Sequence, residues 1–280
     1  MSQKLYNEGD HSPLLFDALW MSFDLETTGV DISKDRIVQI GAAYFHQGRC
    51  IQKNEALINP EIPIPPESSQ VHGVTDERVK DAPTFAEFAP RLVKHFKGQV
   101  FPQLPPPILI GYNLISYDLP LATNEAKRIG VNLCIEQTPV IDVITFVRWY
   151  LRHKRSLKLT DVIKEFGVAL TNAHDAVADA RATGELLCKM MQIYQLPRKT
   201  KDLIKYHDEL RQRLDSEYER YARWLFHDRQ TGELCLGQGK HIGLTLKAAD
   251  PSYLKFFLTK PEIELPEEVT RLFKERVNQR

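Results

Sequence analysis

The stretch Phe23-Asp24-Leu25-Glu26-Thr27-Thr28-Gly29 places two carboxylates two residues apart at the end of an apolar run. On an extended strand that spacing puts Asp24 and Glu26 on one face. Two acids held so close repel and cling to their protons. A divalent cation removes the conflict, and hard Mg²⁺ or Mn²⁺ is the kind of ion carboxylates hold. A metal site built for phosphoryl chemistry needs further acids from elsewhere in the chain. Asp118, in "GYNLISYD", follows an apolar strand and opens a helix; Asp179, in "HDAVADA", falls in the first turns of a long one. His174 precedes Asp179 by five residues and is of the type that exchanges protons near neutral pH. On a regular helix that offset is roughly 140°, not one face. The pair converges only if His174 lies at the helix start, which Asn172 as N-cap would permit. Singly, each group has an ordinary explanation: an exposed strand end, an acid favoured by a helix dipole, a solvated helix face, a structural histidine.

The elements that must position these residues follow from periodicity. Leu19–Leu25 reads as a strand. Residues 36–45 and 50–59 alternate as paired antiparallel strands do, with a turn at Gln47-Gly48-Arg49. The proline-rich "PEIPIPPESSQ" (60–70) is expected to be a loop. Residues 84–96 have helical period; 103–113 is a loop feeding a short strand; 116–130 is a helix ending at Gly130. Residues 139–151 read as a strand running into a helix, 157–168 as a short helix, and 172–194 as a long amphipathic one. Three strands followed by alternating helices and strands predict an α/β fold with a mixed sheet.

This organisation predicts an N-terminal arm over 1–17, a main domain over 18–196, a charged linker helix over 197–225 and a small α+β module over 226–280. A turn at Thr231-Gly232 suggests a hairpin in the last of these, followed by a terminal helix. The 37 basic and 37 acidic residues cancel, which excludes a strongly basic nucleic-acid coat and leaves any polyanion site to a local patch. Four cysteines with no C-x-x-C pair suit a reducing cytoplasm. The first residues lack the apolar core of a secretory signal, and no run approaches the ~20 apolar residues of a membrane helix.

Taken jointly, the motifs resemble the DnaQ-like proofreading exonucleases, the four-acid class with a histidine base and a ribonuclease H-like fold. The resemblance rests on Asp24 and Glu26 before "TTG", Asn113 followed by Asp118, and the His174–Asp179 pair, in that order over about residues 18–195. "VHGVT" (71–75) and "LKLTDVIKEFGV" (157–168) resemble two further segments of that family. Tyr112 and Tyr117 depart from it, standing where many members have His and Phe. The resemblance implies a mixed five-stranded sheet flanked by helices. It implies a 3′→5′ exonuclease in which Asp24, Glu26, Asp118 and Asp179 hold two divalent cations, Mg²⁺ or Mn²⁺, about 3.5–4 Å apart, with His174 as general base. Thr27, Thr28 and Gly29 would face the terminal nucleotide, Val30 would wedge against its base, and His72, Asn113 and Tyr117 would touch substrate. Asp142 is either a further acid supporting the site or a solvated strand-end residue.

The segment "GQGKHIGLTLKAADPSYLKFFL" resembles the tail of exonuclease X-like proteins. On one reading Lys240 and His241 touch phosphate while Tyr253 and Phe256 stack or pack. On the other, the glycines form a hairpin and the tyrosine joins its mini-core. The tail favours DNA over RNA as partner, and a homodimer is among the assemblies the resemblance implies. The competing function is a non-catalytic nucleic-acid-binding or polymerase-tethering relative. Such a chain should have lost an acid or the histidine, and none is lost here.

Overall fold

The computed structural model describes residues 18–151, 154, 156–170, 173–228 and 231–278, apart from the side chains of Gln137, Glu217 and Glu219. The arm expected over 1–17 and the N-cap expected at Asn172 lie outside the described residues. The chain divides into two units, the first ending at Asp208 and the second running from Glu209.

In the first unit, β1 (Trp20–Thr27), β2 (Ile37–His46), β3 (Arg49–Leu57), β4 (Ile108–Gly111) and β5 (Val140–Asp142) form one sheet in the order β3-β2-β1-β4-β5. The first three strands are antiparallel, while β4 and β5 run parallel to β1. The central strands are buried on both faces and read as apolar runs rather than alternations. The edge strand β3 is largely exposed and carries the polar run Gln52, Lys53, Asn54 and Glu55.

Helix α1 (Pro66–His72) and the short α2 (Asp76–Val79) follow the third strand. The first occupies part of the segment expected to be loop. Pro66 pre-sets the backbone of its first turn, and Gly73 closes it in the left-handed region at φ 70°. Helix α3 (Phe85–Phe96) opens with a capping box between Thr84 and Glu87. Helices α4 (Asp118–Arg128), α5 (Val143–Tyr150), α6 (Leu159–Glu165) and α7 (Ala176–Ile193) complete the layers. The main core joins Phe23, Tyr44, Phe96, Leu109 and Leu121 from the sheet and its helices.

Helix α8 (Thr200–Trp224) is not solvated throughout, as a linker would be. Leu203 and His207 are fully buried, and the first unit extends into this helix. The second unit holds a hairpin of β6 (Leu225–His227) and β7 (Leu234–Leu236), then α9 (Pro251–Thr259) and α10 (Glu267–Asn278). Its own core gathers Leu225, Leu236, Leu254, Val269 and Phe273. Among the described residues no helix is long and apolar enough to cross a membrane.

Candidate active site

Asp24 and Glu26 end the central strand, where a register shift after Glu26 breaks its pairing with β2. Asp118 is the first residue of α4, carried there by the loop after β4. Its buried Oδ1 accepts from the Leu25 backbone N–H at 3.1 Å, tying it to the strand between the first two acids. Asp179 lies in the first turn of α7, one turn inside its N-cap, Asp175.

The helix start differs from the expectation at residue 172. Asp175 caps it by accepting from the Ala178 N–H at 2.9 Å, and His174 sits outside with φ 63°. This left-handed turn resolves the angular problem of a five-residue helical offset. Because His174 is not helical, its backbone N–H donates to Asp179 Oδ2 at 3.2 Å. Ligand atoms of Glu26, His174 and Asp179 all lie within 4.8 Å of one another.

Two residues that the sequence reading missed bring α7 to this place. Gly41, beside Asp24 in the register of β2, leaves no room for even a methyl group: a Cβ there would meet the Ala176 backbone at 2.1 Å. Gln39, buried on the same strand, accepts from the Ala176 N–H at 3.2 Å and donates to Glu55 at 2.8 Å. A glycine in mid-strand is the signal that marks such a close approach.

The electrostatics are those of crowded, buried acids. Burial pushes the Asp24 carboxyl well above the usual range, and the charges of Asp118, Asp179, Glu26 and Asp175 push it further. Glu26 rises to about 8, through burial and then the charges of Asp179 and Asp175. Asp118 also rises to about 8, mainly through burial, against opposing backbone hydrogen bonds. Burial raises Asp179 to about 6, with the His174 N–H pulling the other way. Among the described residues Asp179 Oδ1 is buried with no hydrogen-bond partner. An orphan carboxylate oxygen among acids that repel fits a divalent cation, whose oxygen ligands it would complete.

The turn after the acids is braced from several sides. Thr28 and Thr27 are buried, while Val30 is 88% exposed. Tyr117 Oη donates to the Gly29 carbonyl at 2.6 Å and lies 2.5 Å from Thr27 Oγ1. Ser68 on α1 donates to the Thr28 carbonyl at 2.7 Å. Val74 N–H donates to His72 Nδ1 at 3.0 Å, so Nε2 carries the proton that reaches the Thr27 carbonyl at 3.2 Å. Both nitrogens of His72 are therefore engaged by backbone, and the ring supports the turn rather than offering a free polar group to a ligand. Asn113 adopts φ 69° in the loop that delivers Asp118. Tyr112 is turned away, its hydroxyl donating to the Leu157 carbonyl.

In the second unit Lys240 lies over the Tyr253 ring, 5.4 Å from its centre, and His241 meets the same ring edge-on at 4.5 Å. Tyr253 continues into Phe257 and hence Trp224, so it packs in a small aromatic core. Phe256 is half-exposed.

The RNase_T family model, described as "Exonuclease", matches residues 21–187, which contain all four acids and His174. The PolC-type DNA polymerase III of Caldanaerobacter subterraneus is 32% identical over 173 residues, covering 62% of this chain and 12% of that protein. The same polymerase of Streptococcus sanguinis is 34% identical over 184 residues, covering 65% and 12%. The chain thus spans about an eighth of the length of these relatives. E. coli exonuclease I, solved with zinc ion and single-stranded DNA, shares the fold with a TM-score of 0.58 at 18% identity, covering 90% of this chain and 61% of that one. Exonuclease I from Methylocaldum szegediense gives 0.55 at 19% identity, covering 89% and 60%. With the family model matching more than half of its length and the ribonuclease H-like sheet of these nucleases, the chain belongs to the DnaQ-like exonuclease family.

Proposed function

We propose that this chain is a metal-dependent 3′→5′ exonuclease that hydrolyses the terminal phosphodiester of a nucleic acid and releases a nucleoside 5′-monophosphate. The observation that carries this reading is the convergence of Glu26, His174 and Asp179, with one Asp179 oxygen buried and without a hydrogen-bond partner among the described residues. Asp24, Glu26, Asp118 and Asp179 would hold two divalent cations, Mg²⁺ or Mn²⁺. When bound, these supply an activated water and stabilise the leaving 3′ oxygen. His174, exposed at the rim, takes the proton of the attacking water at a ring nitrogen.

The turn Thr27-Thr28-Gly29 seats the terminal nucleotide, with Tyr117 and His72 fixing its carbonyls and Asn113 in the loop beside it. Val30, an exposed apolar side chain one residue beyond that turn, would wedge against the terminal base. DNA is favoured over RNA, in keeping with the single-stranded DNA bound by exonuclease I. The polymerase relatives suggest a role at 3′ ends produced during synthesis or repair. Lys240 and His241 form a basic corner suited to phosphate, outside the segment that matches the family.

The test is digestion of 5′-labelled single-stranded DNA, of duplexes with recessed or overhanging 3′ ends, and of RNA of the same sequence. Each is run with Mg²⁺, with Mn²⁺ and with EDTA, beside Asp24→Ala and His174→Ala. A ladder that shortens from the 3′ end, requires the metal and disappears in both variants is the expected result. No cleavage of any substrate by the wild-type chain would transfer the argument to a non-catalytic, nucleic-acid-binding relative.

A further inference from the structure

Asp142 occupies the N-cap position of α5 yet makes no side-chain cap to its own helix. Its buried carboxylate turns to the neighbouring loop instead. Oδ1 accepts from the Asn113 N–H at 2.7 Å and Oδ2 from the Ile115 N–H at 3.0 Å. Both lie in the segment between β4 and α4 whose far end is Asp118. The same segment is closed on itself by Ser116 and Tyr117, whose N–H groups donate to the Asn113 carbonyl at 3.2 and 3.0 Å. Asn113 is left-handed at φ 69°, a conformation that needs outside support in a residue other than glycine.

Asp142 is itself held. Its backbone N–H donates to Nε2 of His207 at 3.1 Å. An N–H can point only at a lone pair, so His207 carries its proton on Nδ1, which donates to Asp208 Oδ1 at 3.0 Å. The ring has no exposed surface and packs edge-on against Phe146 of α5 at 5.8 Å. A fully buried histidine with both nitrogens bonded, on a helix read from sequence as a charged linker, calls for a structural reason. The chain of bonds supplies one, running from α8 through β5 to the loop before Asp118.

We propose that Asp142 and His207 are positioning residues for the metal-binding acids, so that the first turns of α8 are part of the active-site scaffold. The inference rests on the assignment of Asp118 as a metal ligand. Partners that hold a ligand in place typically govern metal affinity by about 10–100-fold, which sets the size of the expected effect.

The experiment is Mn²⁺ binding to the full chain without substrate, read from the electron paramagnetic resonance of the free ion. It compares wild type with Asp142→Asn, His207→Phe and His207→Gln, each checked for a cooperative melting transition. Asp142→Asn should weaken Mn²⁺ about tenfold, since an amide cannot accept from both N–H groups. His207→Phe keeps the bulk and loses the acceptor, and should weaken binding several-fold. His207→Gln restores an acceptor and should recover most of that loss. Unchanged Mn²⁺ affinity in Asp142→Asn would overturn the proposal, as would equal losses in the two His207 variants, which would reveal packing alone. If Asp142→Asn does not fold, the His207 pair decides. A wild type that binds no Mn²⁺ overturns the proposal outright. One that binds Mn²⁺ yet trims no 3′ end refutes the exonuclease reading and leaves this comparison standing.

Discussion

Gly41 and Ala176 approach so closely that a single methyl group on the glycine would lie 2.1 Å from the backbone of the other. Gly41 stands beside Asp24 in the register of the sheet, and Ala176 opens the helix that carries Asp179. The separation of the strand carrying Asp24 from the helix carrying Asp179 is therefore set by the absence of a side chain. Gly41→Ala should force α7 outward, cost at least about 1–3 kcal/mol through overpacking, and lower exonuclease turnover by about a hundredfold. Urea unfolding and ladder assays measure the two effects; full activity in Gly41→Ala would show that the helix position is not limiting.

His174→Ala should leave the fold intact, because the side chain is exposed and its role in helix α7 passes through its backbone N–H. Turnover should fall by about 10²–10⁴, the usual worth of a positioned proton acceptor. Steady-state digestion of a 5′-labelled strand, with melting as control, reads both quantities. A loss below threefold would remove His174 from the chemistry.

Without metal, the crowded acids should make stability fall as pH rises. Glu26 and Asp118 keep their protons to about pH 8 in the folded chain and release them near pH 4 when unfolded. The folded state thus binds more protons across that interval, and unfolding becomes easier as the solution turns alkaline. His72 and His95, held low by burial, act in the opposite sense below about pH 6.5. The fall is cleanest between pH 6.5 and 8. The melting temperature in EDTA should drop over that window, and saturating Mg²⁺ should flatten the trend. A metal-free melting temperature that rises over the same window would contradict the electrostatic account.

Glu125 is buried between Arg36, at 2.9 Å, and Arg128, which also reaches the Ser33 and Asp35 carbonyls. These contacts tie α4 to the segment that follows the Thr27-Thr28-Gly29 turn. Glu125→Ala would remove the carboxylate the two arginines share and should cost about 2–3 kcal/mol, less than for a fully buried pair because both guanidiniums keep some solvent and Arg128 keeps its two carbonyls. Chemical denaturation measures the cost. A change within 0.5 kcal/mol, the usual range of about ±0.5 for surface sites, would show the triad to be dispensable.

Much of this protein is legible in one dimension. The strand ending in Asp24-Leu25-Glu26, the paired strands after it and the long helix carrying Asp179 follow from short-range periodicity, which depends only on local backbone geometry. What local pattern could not supply was the place of His174, because a left-handed turn outside the helix is chosen by the contacts around it. The same holds for α1, started by Pro66 within a segment that reads as loop, and for the length of α8 that belongs to the first unit.

The sequence by itself determined which chemistry was available: four carboxylates and an imidazole, on elements of the right kind and order. Tertiary structure decided whether they meet. Gly41 admits α7 to the sheet, Gln39 caps its first turn, and Asp142 joins His207 to the loop before Asp118, across separations of up to 137 residues. Such contacts leave no periodic trace, because the close approach of two backbones and the bonding of a buried carboxylate depend on which surfaces face each other only after the chain has folded.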